Sequence, residues 1–114
     1  MIEDTRRAPR RAVPEHVPVT DRMREQVIGR LGNVSESGML ILSDAELVDD
    51  ALYQLSFPVP DRHGREIAIE VGVHLLWREP AHAPGQYWAG FRFLTLSATH
   101  REALRQWIST GQTS

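Results

Sequence analysis

The chain has 114 residues, 41% of them hydrophobic, and no cysteine, so it has room for one domain with a modest core and no disulfide. Its formal net charge is −2, which argues against a general nucleic-acid binder that is basic over its whole surface. The first residues lack the apolar segment of a secretory signal, and no apolar run approaches the roughly 18 residues that span a bilayer, so we expect a cytoplasmic protein.

The N-terminal segment, residues 1–12, concentrates positive charge and is predicted to be a flexible arm. Four of the 13 basic residues, all of which are arginines, lie in it: Arg6, Arg7, Arg10 and Arg11. A guanidinium grips phosphate with two parallel hydrogen bonds and also matches the O6 and N7 atoms of guanine. Taken alone, the arm fits a basic tail, a patch for nucleic acid or a membrane surface, or a defined nucleotide site.

Short segments with the patterning of β-strands fill the middle of the chain. An extended stretch at His16–Thr20 comes first, because a residue that precedes proline avoids the helical region. The longest strand, Glu66–Trp77, alternates cleanly and places five apolar side chains on one face: Ile67, Ile69, Val71, Val73 and Leu75. The other predicted strands are Arg24–Leu31, Met39–Leu42, Ala51–Val59 and Tyr87–Leu94.

The end of the chain has the pattern of a helix. Thr99 and Glu102 have the spacing of a capping box, and Gly111 is a plausible end. An apolar stripe follows the cap, formed by Ala103, Leu104, Trp107 and Ile108. Several short strands followed by one helix predict a small antiparallel β-barrel, at residues 13–110, with a C-terminal α-helix.

A polar segment, Asn33-Val34-Ser35-Glu36-Ser37-Gly38, lies between two predicted strands and is expected to form a tight turn. Asn33 and Ser35 are two residues apart, so in an extended segment their side chains face the same way and can meet a guanine edge. Gly38 allows a positive φ or the close approach of a ligand. Alone, the segment is equally an ordinary loop that satisfies its own backbone.

The two segments together resemble the paired signature of the PilZ domain family, over roughly residues 5–110. The family's RxxxR motif matches Arg6-Arg7-Ala8-Pro9-Arg10, and Arg7 with Arg11 offers a second register. We favour Arg6 and Arg10. The family's [D/N]xSxxG motif matches Asn33, Ser35 and Gly38. Two softer marks agree: Trp77 at the end of a long strand, and Gly90-Phe91-Arg92-Phe93 before the final helix.

The resemblance implies a six-stranded antiparallel barrel flanked by a helix, and a bacterial second-messenger receptor for cyclic di-GMP. By that likeness, Arg6, Arg7 and Arg10 would clamp phosphates or contact guanine, with Arg11 replacing Arg10 in the second register. Asn33 and Ser35 would read a guanine edge, and Gly38 would keep the turn open. Ligand binding would order the arm and signal to an unidentified partner protein, with no cofactor and no catalysis. One ligand and a stacked pair both remain open.

Two alternatives to this receptor are a PilZ-like interaction module that binds no nucleotide and a small barrel that binds nucleic acid. The net charge and the expected burial of Trp77, Trp88 and Trp107 in the core or under the helix argue against the second alternative. Arg92 is expected to be solvated or near the ligand. The histidines lack metal-ligand spacing, and neither Ser35 nor Ser37 lies in the GxSxG turn of a hydrolase.

Overall fold

A computed structural model describes residues 9–111 of the chain. It contains seven strands followed by one helix: β1 (Arg10–Ala12), β2 (Pro18–Asp21), β3 (Gln26–Ser35), β4 (Gly38–Ser43), β5 (Leu52–Pro60), β6 (Glu66–Pro80), β7 (Tyr87–Leu96) and α1 (Ala98–Gly111). Each predicted strand and the predicted helix is confirmed, with ends that differ by a few residues. The largest difference is in β3, which runs four residues further than predicted.

Six strands, β2 to β7, form a closed antiparallel barrel. The order around the sheet is β3-β2-β5-β6-β7-β4, and a further pairing between β3 and β4 closes the ring. The short strand β1 is additional, because it pairs with the last residues of β3 while β2 pairs with the first residues. The predicted six-stranded barrel with a C-terminal helix is therefore confirmed.

The long strand β6 carries much of the core on one face. Its residues Ile69, Val71, Val73 and Leu75 are buried, and Ile67 is half-buried. The pairing of β6 with β7 shifts register between Leu75 and Trp77, as in a β-bulge. The shift turns both Leu76 and Trp77 outward, with exposed fractions of 51% and 45%. The prediction that Trp77 packs in the core is therefore wrong.

Strand β1 begins inside the segment that was predicted to be an arm. Arg10–Ala12 pair with the end of β3, and the backbone amide of Val13 donates a 2.9 Å hydrogen bond to the carbonyl of Gly32. Arg6 and Arg7 lie outside the described residues, so the prediction made for them stays a prediction.

Helix α1 packs on the barrel with Leu104, Trp107 and Ile108 buried, which confirms the predicted apolar stripe for these residues. The helix is capped by Ser97, whose Oγ accepts a 3.2 Å hydrogen bond from the backbone amide of His100. Thr99 lies inside the helix, so the predicted capping box with Glu102 is wrong. Ser97 takes the N-cap position in place of Thr99, because a serine hydroxyl caps a helix as well as a threonine hydroxyl does.

Candidate functional site

A concave surface on the outside of the barrel encloses about 500 Å³ of space where β1, the β3–β4 turn and the β6–β7 pair meet. One side, which we call the motif wall, consists of Arg10, Asn33 and Ser37. The facing side, the bulge wall, consists of Leu76, Trp77 and Arg92, and further residues of β4 and β7 form the floor between them. Among residues 9–111, no acidic side chain lines the cavity, so two guanidinium groups set its charge and favour an anionic ligand.

The pairing of β1 with β3 brings the two sequence motifs into contact. In this register Arg10 lies opposite Ser35, and Ala12 lies opposite Asn33. The Nε atom of Arg10 donates a 2.8 Å hydrogen bond to Asn33 Oδ1, and its Nη1 atom lies 3.4 Å from Ser35 Oγ. Residues 23 and 25 positions apart in the chain thus become direct neighbours at one site.

The polar segment is not one turn, as the sequence suggested, because Asn33 and Ser35 form the end of β3. Only Glu36 and Ser37 lie between β3 and β4. The Ser35 side chain is buried, and its Oγ accepts a 3.2 Å hydrogen bond from the backbone amide of Ser37. The same hydroxyl lies 3.4 Å from the carbonyl of Gly38 and 3.1 Å from Ser37 Oγ. Ser35 therefore shapes the turn, and Ser37 is the serine that lines the cavity.

Gly38 opens β4 and is buried against β7. A Cβ atom at this position would overlap the backbone carbonyl oxygen of Phe91, so no larger residue fits without moving a strand. Within the described chain, the glycines with positive φ are Gly64 and Gly85, so Gly38 does not use the left-handed region. It serves instead the close approach of two backbones under the cavity.

Arg11 lies on the opposite side of β1 from Arg10, since successive side chains of a strand alternate. Its Nη1 atom donates a 2.7 Å hydrogen bond to the backbone carbonyl of Trp107, and its guanidinium lies 4.4 Å from the centre of the Trp107 ring. The predicted ligand-binding residues are therefore not all brought together. Arg10 and Asn33 line the cavity, whereas Arg11 faces the helix.

Of the bulge-wall residues, Trp77 was expected in the core or under the helix, and Arg92 was expected to be solvated or near the ligand. The Trp77 ring lies on Gly90, where a Cβ atom would overlap it, so the glycine provides the seat of the ring. Arg92 is exposed and pairs with Gly38 across the sheet, which confirms the expectation of a solvated position and places it at the cavity. In the sequence, the motif Gly90-Phe91-Arg92-Phe93 was the signal for both residues. Strict alternation along β6, however, predicted Trp77 on the buried face of the strand.

Helix α1 also reaches the β3–β4 turn. Arg105 donates two hydrogen bonds to the carboxylate of Glu36, at 3.2 Å from Nε and 3.1 Å from Nη2. This hydrogen bonding to Glu36 raises the pKa of Arg105 above its ordinary value. The turn that carries Ser37 is thus held from the helix side as well as by Ser35.

Across residues 9–111, His, Asp and Glu side chains form no group of three or more that could hold a metal ion. The single helix in this part of the chain is too short and too polar to cross a bilayer. Neither observation adds a second candidate to the cavity.

Among solved structures, the fold is similar to the inhibitor of motility MotI/DgrA of Bacillus subtilis, with a TM-score of 0.76, 14% identity, and coverage of 95% of this chain and 51% of that one. It is also similar to the PilZ domain of YcgR from Escherichia coli with cyclic di-GMP, with a TM-score of 0.66, 20% identity and coverage of 95% and 92%. For YcgR from Escherichia coli in complex with cyclic di-GMP, the TM-score is 0.66, the identity 24% and the coverage 94% and 46%.

The chain thus spans about half the length of MotI/DgrA and of the longer YcgR chain. At these identities the likeness extends to the fold alone. No curated protein sequence matches the chain. A family model of the PilZ domain, however, matches residues 4–110, nearly the whole sequence. The chain therefore belongs to the PilZ domain family.

Proposed function

We propose that this protein is a non-enzymatic receptor for cyclic di-GMP and that the ligand binds between the motif wall and the bulge wall. The observation that carries the proposal is the contact between Arg10 and Asn33, which joins the two signature motifs at the edge of a cavity with no acidic lining in the described chain. Membership of the PilZ family supports it, as does the similarity in fold to the YcgR domain bound to this ligand.

The motif wall supplies groups for phosphate and for a guanine edge. Arg10 lines the cavity, and a guanidinium binds phosphate or the O6 and N7 atoms of guanine. Since Asn33 Oδ1 accepts from Arg10, its amide is oriented and Nδ2 is left to donate toward the base. Ser37 adds a hydroxyl, and Ser35 contributes by holding the turn.

The bulge wall supplies a surface on which a base can stack. Trp77 is 45% exposed beside Leu76, and a purine ring stacks well on an indole. Arg92 adds a second positive charge opposite Arg10. A ligand with two guanines and two phosphates therefore finds stacking on one side and polar recognition on the other.

The arm completes the site in this proposal. Four residues of extended chain span at most about 14 Å, so Arg6 and Arg7 can reach a ligand that lies over Arg10. Their contacts with phosphate would order residues 1–9 around the ligand and change the surface that a partner protein meets. The protein would act in the cytoplasm as an adaptor, which the absence of cysteine suits.

The test is isothermal titration calorimetry with cyclic di-GMP, and GTP and cyclic di-AMP as specificity controls. We expect selective binding by the natural chain. Arg10→Ala and Asn33→Ala should each lower the affinity about tenfold to a hundredfold, because each variant removes a side chain that would hydrogen-bond the ligand. Arg24→Ala, which removes an exposed arginine of the β2–β3 turn, is the matched control and should bind normally.

The stoichiometry of the same titration distinguishes one bound ligand from a stacked pair. Normal binding by both cavity variants would show that the site lies elsewhere. Absence of binding by the natural chain would instead favour an interaction module without a nucleotide ligand.

A further inference from the structure

We propose that helix α1 positions both ends of the motif wall, Arg10 and Ser37, with Arg11 and Arg105 as the positioning residues. The inference rests on the proposed function for the identity of the ligand, but the geometry concerns the cavity itself. In each signature motif, a residue that contacts the helix lies directly beside residues of the site. Arg11 follows Arg10, and Glu36 lies between Ser35 and Ser37.

The first contact holds β1 against the end of the helix. Arg11 has 15% of its side chain exposed, donates to the Trp107 carbonyl at 2.7 Å and stacks over the Trp107 ring. The last turn of α1 contains no basic residue of its own, so Arg11 supplies the positive charge that a helix C-terminus favours. The same guanidinium lies 3.6 Å from Glu15, which keeps it in place from the side of the barrel.

Gly111 leaves the space that the Arg11 guanidinium occupies. A Cβ atom at this position would overlap the guanidinium, so an alanine there must push Arg11 away from the helix end. Alanine is otherwise the better helix residue. Gly111→Ala therefore distinguishes helix stability from the contact between the helix and β1, because it should strengthen the helix and weaken that contact.

The second contact holds the β3–β4 turn. The forked pair between Arg105 and Glu36 joins residues 69 positions apart and ties the turn to the helix. Glu102 lies 3.5 Å from the same guanidinium and orients it along the helix. With 52% of the Arg105 side chain exposed, this contact is the weaker of the two.

These contacts matter because β1 is short and depends on its pairing with β3 and on its side-chain contacts. The strand has three residues, all paired with β3, and such a short strand is marginal without further packing. Arg10 and Arg11 are adjacent on one backbone, so displacement of Arg11 from the helix also displaces Arg10 from the cavity. By thermodynamic reciprocity, a ligand that binds Arg10 tightens the attachment of the helix.

The test compares cyclic di-GMP affinity by calorimetry for Arg11→Ala, Arg11→Lys, Gly111→Ala and Arg105→Ala. We expect Arg11→Ala and Gly111→Ala to weaken binding about fivefold to tenfold, and Arg105→Ala about twofold to fivefold. Arg11→Lys keeps the charge without the planar fork and should fall between the natural chain and Arg11→Ala. Arg101→Ala, an exposed arginine of the same helix, is the matched control and should bind normally.

A merely structural role would lower the melting temperature and leave affinity unchanged, so both are measured. Gly111→Ala gives the sharpest result, because weaker binding without a lower melting temperature cannot come from a weaker helix. Equal affinity of the natural chain, Gly111→Ala, Arg11→Ala and Arg105→Ala would overturn the proposal.

Amide hydrogen exchange of the ligand-free chain keeps the inference separate from the identity of the ligand. We expect faster exchange at Val13 and the β1 amides in Arg11→Ala and Gly111→Ala, and at Ser37 in Arg105→Ala. Unchanged exchange would overturn the positioning role even if the variants bound weakly. If the natural chain bound no cyclic di-GMP, faster exchange would still support the positioning of the cavity, and only the proposed ligand would be wrong.

Discussion

The motif wall and the bulge wall face each other across one cavity, but the chain builds them in different ways. The motif wall is polar and depends on the pairing of β1 with β3, which joins Arg10 to Asn33. The bulge wall is mostly apolar and depends on a register shift in β6, which turns Trp77 outward onto Gly90. If the cavity binds the proposed ligand, we therefore expect recognition by hydrogen bonds and recognition by stacking to be weakened separately.

The largest effect is expected where the two walls meet, at Gly38. Gly38→Ala places a Cβ atom against the backbone carbonyl of Phe91, and neither strand can yield without loss of pairing. We expect a loss of about 1–3 kcal/mol in the free energy of unfolding, measured by urea denaturation, together with weaker ligand binding. Ser37→Ala, in the same turn, should retain most of the stability, and an unchanged unfolding midpoint for Gly38→Ala would contradict the close approach of the strands.

Next in size is the loss of stacking on the bulge wall. Trp77→Ala should weaken cyclic di-GMP binding about tenfold, because the stacking of one base on an aromatic ring contributes about 1–3 kcal/mol. Stability should change little, since Trp77 is nearly half exposed. Trp77→Phe keeps an aromatic face and should retain most of the affinity. Calorimetry measures both variants. Equal affinity for Trp77→Ala and the natural chain would exclude stacking on this ring.

A smaller effect is expected from the charge of the bulge wall. Arg92 is exposed and lines the cavity, so its charge acts through a screened interaction. Arg92→Gln should weaken binding about twofold to fivefold at low salt and leave it nearly unchanged at high salt. Titrations at two salt concentrations measure this dependence, and Arg101→Gln should show none of it. A loss that is equal at both concentrations would indicate a hydrogen bond in place of a screened charge.

The smallest effect lies outside both walls, in the β5–β6 turn. The carboxylate of Asp61 accepts a 2.9 Å hydrogen bond from the amide of Arg65 and a 2.8 Å hydrogen bond from that of His63, and these bonds lower its pKa below the ordinary value. Because the pKa of Asp61 is lower in the folded state than in the unfolded state, the ionised carboxylate stabilises the fold at pH values above its unfolded-state pKa. This contribution is lost as the pH falls through the folded-state pKa of Asp61.

Asp61→Asn should therefore lower the melting temperature slightly at neutral pH, and the difference should shrink below about pH 4. Thermal unfolding between neutral and acidic pH measures this trend. Cyclic di-GMP affinity should stay unchanged, because Asp61 does not line the cavity. A difference that grows on acidification would contradict the lowered pKa.

The fold was largely predictable because it depends on local patterns. Alternation along Glu66–Trp77 and the stripe at Leu104, Trp107 and Ile108 identify a strand and a helix whatever surrounds them. The two failures at these elements have local causes. The bulge in β6 interrupts the alternation at Trp77, and Ser97 and Thr99 are equally suited to the helix cap.

The candidate site was predictable only in part, because contact between distant segments depends on register. The motifs predicted that Arg10 and Asn33 act together, and the structure adds the pairing that joins them. Which of Arg10 and Arg11 faces the cavity could not be read from the RxxxR spacing, since both satisfy it. That choice depends on which side of β1 the helix occupies, which no local pattern encodes.

The cavity lies entirely on the outside of a closed barrel, so residues of the site can be substituted during evolution while the fold stays the same. Side chains on the two walls point away from the core, so their replacement removes no buried apolar contact. Mutation can therefore erase or alter ligand recognition in a descendant without unfolding it. Under the proposed function, a related barrel could keep the scaffold as a protein-binding module without the nucleotide, or bind a new ligand on the same surface.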